Sequence, residues 1–173
     1  MAFEFTPERK KRLDRIISRY PEKMAALLPA LHLAQEQEGY VSPEAMETIA
    51  GVLDVSPAHV DSVVSFYTMY NRAPRGKHFI QVCTNISCSL CGARELVDHI
   101  KGKLGIEVGQ TTADDKFSLL GVECLAACEL APAVQINDDY HGPMTVDAFE
   151  KWLAGVGGVG KKGPKTGSAP AGH

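Results

Sequence analysis

Four of the five cysteines in this 173-residue sequence lie in two short segments, and this arrangement constrains the fold more than any other feature. The first segment has the spacing C-x4-C, from Cys83 to Cys88, and the second has C-x3-C, from Cys124 to Cys128. Two thiols so close in sequence can face one point, which in a reducing compartment favours a metal centre over disulfides. We therefore predict an iron–sulfur site at these segments.

The compartment is inferred from the N-terminus and the charge. The charged run Glu8 to Arg12 leaves no hydrophobic core for a signal peptide, and no apolar run approaches the length of a membrane span. The formal net charge of −3 gives no basic excess of the kind that nucleic acids or anionic membranes select. We expect a cytoplasmic protein with reduced thiols, no nucleic-acid partner and no direct membrane insertion.

Residues 1–75 are predicted to form an N-terminal four-helix bundle that serves as a packing and docking module. A hydroxyl residue followed by proline can begin a helix, because the hydroxyl caps the first turn and proline already has a helical φ. The sequence has three such pairs, Thr6-Pro7, Ser42-Pro43 and Ser56-Pro57, each followed by apolar residues at helical spacing. A fourth helix, from Met24 to a stop at Gly39, is predicted to kink at Pro29.

Residues 42–67 also fit a helix-turn-helix, which together with a cluster would suggest a redox-sensing transcription factor. The candidate recognition helix has no Lys or Arg before Arg72. It therefore lacks the electrostatic attraction that dominates DNA affinity, and this argues against DNA binding.

Residues 76–155 are predicted to form an α/β domain. The expected elements are a strand at 78–82, a helix from about Gly92 to Gly105, strands at 117–123, 133–136 and 140–141, and a helix that opens at Thr145. This β-α-β then β-β-α order is that of a minimal thioredoxin-like fold, and the whole chain is assigned to the α+β class. Both cysteine segments fall at strand ends, the usual place for chemistry in such sheets. The Gly/Lys/Pro-rich tail, 156–173, is predicted to be disordered.

Spacing alone leaves several uses of the cysteines open. A thioredoxin-like dithiol would use Cys88 and Cys91, whereas a plant-type ferredoxin would use Cys83, Cys88 and Cys91 with a distant fourth ligand. A thioredoxin-like [2Fe–2S] ferredoxin would use both pairs, with Cys91 turned inward as a small apolar residue. Structural zinc fits the ligand type, although zinc knuckles favour tighter pairs.

The residues around the cysteines suit an anionic cluster. They are small, which leaves room for N–H donors and excludes bulky acids, and they comprise Thr84, Asn85, Ser87, Ser89, Ala126 and Ala127. A helix that begins just after Cys88 is predicted to turn its positive end toward the site. Hydrogen bonds and solvent exposure would then set the reduction potential.

The segments HFIQVCTNISCSLCGARELVDHI and VECLAACELAPAVQINDDYHG, with 35 residues between the cysteine pairs, resemble the 24-kDa (E) subunit family of NADH:quinone oxidoreductase, respiratory complex I. The leader that ends in SVVSFYTMYNRAPRGK is similar to the same family, so the likeness runs from about Phe5 to Leu153. The resemblance implies a [2Fe–2S] cluster held by Cys83, Cys88, Cys124 and Cys128. It places Cys91 at a variable, non-ligating position.

The resemblance also implies a role and partners. The chain would be an electron-transfer subunit, not catalytic alone, whose cluster accepts an electron from the flavin of a partner subunit that binds FMN and NADH. A neighbouring iron–sulfur subunit and a place in the peripheral arm of an inner-membrane complex are implied as well. The equivalent subunit of an NAD-linked formate dehydrogenase, or of an NAD-reducing or bifurcating hydrogenase, is the alternative.

Overall fold

The computed structural model describes residues 2–160 and 162–165 of the chain. The chain divides into two compact units between Pro74 and Arg75, and each unit has its own hydrophobic core. Within the described residues, no helix is both long enough and apolar enough to cross a bilayer.

The described residues of the first unit form four α-helices, which are α1 (Pro7–Ile17), α2 (Leu27–Glu38), α3 (Pro43–Leu53) and α4 (Pro57–Phe66). The hydroxyls of Thr6, Ser42 and Ser56 each accept a hydrogen bond from the N–H three residues ahead, so the three predicted helix starts are confirmed. The helices bury their apolar faces against one another, and Leu31 and Ile49 are completely buried.

Pro29 does not kink a helix, in contrast to the prediction. The segment begins as a short 3-10 helix, Lys23–Ala26, and α2 starts only at Leu27. Pro29 therefore lies in the first turn of α2, where an N–H would have no partner within the helix. The predicted stop is confirmed, because Gly39 ends α2 in the left-handed conformation with a φ of 81°.

The helix-turn-helix pattern corresponds to α3, a turn at Asp54 and α4. Asp54 ends α3 with a φ of 57°, and Ser56 caps α4. Arg72, the cation that follows α4, forms an ion pair with Asp61 of that helix at 2.6 Å. Arg72 is thus paired with a carboxylate of α4.

A four-stranded sheet forms the centre of the second unit. Its strands are β1 (His78–Cys83), β2 (Phe117–Val122), β3 (Val134–Ile136) and β4 (Asp139–His141), in the order β2-β1-β3-β4. β1 is parallel to β2 and antiparallel to β3, which is in turn antiparallel to β4. The helices of this unit are α5 (Ile86–Leu90), α6 (Ala93–Leu104) and α7 (Val146–Gly155).

The core of the second unit lies between the sheet and its two longer helices. α6 connects the parallel strands β1 and β2, and its buried face includes Leu96 and Ile100. α7 buries Phe149 and Leu153, while Ile80 in β1 pairs with residues of both neighbouring strands. The predicted β-α-β then β-β-α order and the α+β class are confirmed, and this is the order expected of a thioredoxin-like fold.

Part of the C-terminal tail, which is predicted to be disordered, contacts the second unit. Pro164 forms a β-bridge with Thr112, and the N–H of Gly163 donates to the carbonyl of Leu104 at 3.1 Å. Main-chain hydrogen bonds, which need no apolar pattern in the sequence, therefore hold this segment. Residues 161 and 166–173 of the predicted tail lie outside the described residues.

Candidate metal centre

The two cysteine pairs follow two neighbouring parallel strands. Cys83 is the last residue of β1, and in the sheet register it pairs with Val122, the last residue of β2. Cys124 comes two residues after Val122. Because parallel strands end at the same edge of a sheet, their C-terminal ends bring the two pairs together. The predicted position of both pairs at strand ends is confirmed.

Cys88 lies on α5, a short helix that the sequence pattern does not predict. Asn85 begins α5, and its side chain accepts a hydrogen bond from the N–H of Ile86 at 2.8 Å. α6 starts at Ala93, after Gly92 with a φ of 95°, so no long helix begins directly after Cys88. The long helix that is predicted to point its positive N-terminal end at the site from just after Cys88 is therefore not present among the described residues. Cys88 lies instead within the separate five-residue helix α5.

The thiols of both pairs interact with one another. The Cys83 thiol accepts hydrogen bonds from the thiols of Cys88 and Cys124, and the Cys88 thiol is close enough to Cys128 for their charges to interact. Cys83 and Cys88 are buried, whereas Cys124 and Cys128 are exposed. The four residues thus form one cluster that reaches from the core of the second unit to its surface.

The environment of Cys83 favours its thiolate form. Burial alone would raise the pKa of this thiol. The N–H groups of Asn85 and Leu125, together with the thiols of Cys88 and Cys124, donate to the sulfur and hold its pKa below the ordinary value. Since the thiolate is the form that binds a metal, Cys83 is prepared for ligation.

The environment of Cys88, in contrast, favours its protonated thiol form. Burial raises the pKa of its thiol, and Cys83 raises it further by accepting a hydrogen bond from the protonated form. Negative charge on Cys83 and Cys128 also raises it, because like charges repel. The N–H of Ala133 donates to its sulfur at 3.5 Å and partly opposes this rise. A bound metal cation would offset such repulsion, because its positive charge stabilises the deprotonated, coordinating thiolates.

The second pair is shaped by Ala126, whose backbone is left-handed with a φ of 53°. The N–H of Ala126 donates to the sulfur of Cys124 at 3.2 Å. The prediction of N–H donors around the cysteines is therefore confirmed for Ala126, which lies between Cys124 and Cys128. No local pattern indicates the donors Leu125 and Ala133, because each reaches a cysteine that lies far away in the chain.

Cys91 faces solvent, so the prediction that it turns inward is wrong. α5 ends at Leu90, which is 83% exposed, and the chain has left the core before it reaches Cys91. Cys91 is absent from the described interactions of the Cys88 thiol, which involve Cys83, Cys128 and Ala133. Among the described residues, the partners of the Cys88 thiol therefore favour a cluster with Cys83 and Cys128 over a pairing with Cys91.

The donor set can be tested against a cluster. Among residues 2–160 and 162–165, no three His, Cys, Asp or Glu side chains converge on a point that could hold one metal ion. A [2Fe–2S] cluster does not require such a point, because its two irons share four thiolates, two on each iron. Four interacting thiols with N–H donors to their sulfurs fit this requirement.

A shallow groove lies beside the first pair. Its lining consists of Thr84, Ile86, Ser89, Leu90 and Arg94. Two of these residues are large, apolar and unusually exposed, Ile86 at 71% and Leu90 at 83%. They lie one turn apart on α5, so the helix that carries Cys88 presents an apolar face to solvent.

Comparisons with known proteins give a consistent result. A family model described as thioredoxin-like [2Fe-2S] ferredoxin matches residues 13–156. NADH-quinone oxidoreductase subunit 2 of Thermus thermophilus is 39% identical over 155 residues, which are 88% of this chain and 86% of that protein. The mitochondrial NADH dehydrogenase [ubiquinone] flavoprotein 2 of Dictyostelium discoideum is 44% identical over 146 residues, and the match covers 83% of this chain but only 59% of that protein.

A solved structure of an NAD+-reducing [NiFe]-hydrogenase in the air-oxidized state has a similar fold, with a TM-score of 0.67. The match covers 76% of this chain and 23% of that chain, at 20% sequence identity. At this level of identity the likeness concerns the fold alone.

Proposed function

Because this chain belongs to the thioredoxin-like [2Fe–2S] ferredoxin family, we propose that it is the electron-transfer subunit of an NADH:quinone oxidoreductase, respiratory complex I. The observation that carries the proposal is the single cluster of thiols at the ends of two parallel strands. The chain is then a subunit of an oxidoreductase and is not catalytic alone.

We assign the ligands to both cysteine pairs, Cys83, Cys88, Cys124 and Cys128. A [2Fe–2S] cluster, when bound, accepts one electron and passes it on without making or breaking a covalent bond in the protein. The chain itself holds the four sulfurs at the end of β1, on α5, and in the segment that follows β2, where Cys128 begins a short 3-10 helix. Cys91 is left out of the assignment because it is absent from the described interactions of the Cys88 thiol, which involve Cys83, Cys128 and Ala133.

The N–H donors stabilise the thiolates. Ala126 donates to the sulfur of Cys124, and Ala133 donates to that of Cys88. These bonds offset part of the cost of negative charge at a site that is half inside the protein, and they limit movement of the sulfurs. The chain thereby sets both the geometry and the potential at which an electron is accepted.

The electron donor is proposed to be the reduced flavin of a partner subunit that binds FMN and NADH. The exposed Ile86 and Leu90 support a docking surface at α5, because large apolar side chains at such exposure are typical of interfaces. A neighbouring iron–sulfur subunit is the further partner, and the assembly forms the peripheral arm of an inner-membrane complex.

The equivalent subunit of an NAD-reducing hydrogenase or an NAD-linked formate dehydrogenase is the second candidate. It is supported by the fold of the hydrogenase chain, whereas the NADH-quinone oxidoreductase relatives share both fold and about 40% of their residues with this chain. Purification of the tagged chain from its organism distinguishes the candidate complexes, because the subunits of complex I, of the hydrogenase or of the formate dehydrogenase would accompany it.

The site is tested by iron and acid-labile sulfide analysis of anaerobically purified chain. We expect about two iron and two sulfide per chain, with an EPR signal of a reduced [2Fe–2S] centre after dithionite treatment. Zinc in place of iron, or a metal-free chain with two titratable vicinal thiols, would overturn the proposed function. The second outcome would transfer the chemistry to Cys88 and Cys91.

A further inference from the structure

Each cysteine of the first pair is followed by a hydroxyl residue, Thr84 after Cys83 and Ser89 after Cys88. The Ser89 hydroxyl donates to the carbonyl of Thr84 at 2.9 Å, and the Thr84 hydroxyl donates to the carbonyl of Val122 at 3.1 Å. We call this chain of bonds from Ser89 through Thr84 to Val122 the hydroxyl brace. It connects the helix that carries Cys88 to the strand that leads to Cys124.

The Thr84 side chain is well placed for this role. Its backbone N–H donates to the same Val122 carbonyl at 2.9 Å, so one acceptor receives two bonds from one residue. Its methyl group lies over Gly121, since a Cβ added at that glycine would come within 3.5 Å of the Thr84 Cγ2. Packing of the methyl group therefore keeps the hydroxyl directed at Val122.

The brace is not part of the hydrophobic core. Thr84 is exposed and Ser89 is half-buried, while β1 and β2 already pair along their whole length without these hydroxyls. α5, in contrast, has only five residues, and so short a helix is not stable on its own hydrogen bonds. The brace therefore acts on the position of α5, and with it on Cys88.

We propose that Thr84 and Ser89 are positioning residues that fix the first cysteine pair against the second and thereby control both cluster retention and reduction potential. This inference rests on the proposed function. Without the hydroxyls α5 moves away from Val122, the Cys88 sulfur shifts relative to Cys124, and water reaches the site. Because the reduced cluster carries the larger negative charge, water favours it and the midpoint potential rises.

The test uses the full chain with its cluster formed under anaerobic conditions, and measures the rate at which an iron chelator bleaches the visible absorbance. Thr84→Val keeps the branched side chain and removes only the hydroxyl, and Ser89→Ala removes the second hydroxyl. Each is expected to lose the cluster about tenfold faster than the wild type, as is typical when a group that supports a metal ligand is removed. Thr84→Ser is expected to behave as the wild type.

The double variant tests whether the two hydroxyls act as one chain. The two hydroxyl bonds lie in series, from Ser89 to the Thr84 carbonyl and from the Thr84 hydroxyl to Val122, so the double variant should lose its cluster no more than about twofold faster than the more severe single variant. If the increases in the rate of cluster loss in the two single variants multiply in the double variant, the two hydroxyls act independently. That result would contradict a single brace.

Ser87→Ala is the matched control, because Ser87 lies on the same helix and its hydroxyl makes no hydrogen bond within the described part of the chain. An EPR-monitored redox titration should give a higher midpoint potential for Thr84→Val and Ser89→Ala, and the wild-type value for Thr84→Ser and Ser87→Ala.

Failure of the ligand assignment and failure of the hydroxyl brace would give different results. A wild-type chain that holds no iron–sulfur cluster would overturn the ligand assignment, and this inference with it. A wild-type chain with a full cluster, together with brace variants that match it in both rate and potential, would overturn the hydroxyl brace alone. An equal change in Ser87→Ala would do the same.

Discussion

Cys88 and Cys91 lie one helical turn apart, yet the side chain of Cys88 is 2% exposed and that of Cys91 faces solvent. α5 ends at Leu90, so Cys91 stands at the C-terminal cap of this helix, outside it. The described interactions of the Cys88 thiol do not include Cys91. Cys88 instead interacts with Cys83 and Cys128.

This difference predicts opposite results for two conservative substitutions. Cys91→Ser should keep the full iron and sulfide content and the EPR signal of the wild type, because an exposed thiol outside the cluster is replaced by a hydroxyl. Cys88→Ser should lose most of the iron, because a proposed ligand and its hydrogen bond to Cys83 are both removed. Metal analysis of the two purified variants measures the contrast.

Retention of a dithiol reductase activity in the wild type and its loss in Cys91→Ser, with no iron in either protein, would contradict the electron-transfer assignment. Equal loss of iron in Cys88→Ser and Cys91→Ser would instead revive the plant-type ferredoxin run.

The parts of the fold that depend on local chemistry could be predicted from the sequence. Thr6, Ser42 and Ser56 cap helices because a hydroxyl before proline needs no distant partner. The predicted kink at Pro29 is wrong because the sequence does not show that a 3-10 helix precedes α2. α5 could not be predicted because five residues are too few to show a helical period.

The candidate site could be predicted only in outline. The spacing of the cysteines and the strand pattern placed both pairs at one sheet edge. The hydrogen bond from Ala133 to Cys88 spans 45 residues of sequence and depends on the position of β3 beside β1, which no local pattern reveals. The same holds for the bond from Thr84 to Val122, which spans 38 residues.

Tyr70 provides a pH-dependent test of the first unit. Its hydroxyl donates to the carbonyl of Leu28 at 2.9 Å, while burial and the adjacent Tyr67 raise its pKa from 10.0 to about 12. The folded state thus favours the protonated phenol, so this contribution to stability is complete below about pH 10 and disappears between pH 10 and 12. Tyr70→Phe should lower the free energy of unfolding by about 1 kcal/mol at neutral pH.

Urea unfolding at several pH values measures this effect. The difference between the wild type and Tyr70→Phe should shrink as the pH rises above 10. A difference that stays constant to pH 12 would show that the phenol proton is not held by the fold.

The tail segment 162–165 can be tested by truncation. A chain that ends at Gly160 loses the main-chain hydrogen bonds of Gly163 and Lys165, and its free energy of unfolding should fall by about 1 kcal/mol. A chain that ends at Lys165 keeps these bonds and serves as the control. Urea unfolding curves that coincide for the full chain and both truncated chains would contradict a stabilising role for the segment.

Leu90 tests the proposed docking surface at α5. Its side chain is 83% exposed, so Leu90→Ser should leave the fold and the cluster intact. If the partner subunit that carries the flavin covers this side chain, the substitution removes about 1.5–3 kcal/mol of apolar burial, and the dissociation constant of the complex should rise about tenfold or more.

Tyr140→Ser is the matched control, because Tyr140 is 50% exposed and lies on β4, two strands away from β1 and the first cysteine pair. Both variants are compared with the wild type by titration with the purified partner and by the rate at which NADH reduces the cluster through that partner. Weaker binding by Leu90→Ser alone places the interface at α5. If only Tyr140→Ser weakens binding, the partner approaches the opposite edge of the sheet, and the exposed face of α5 must serve another contact.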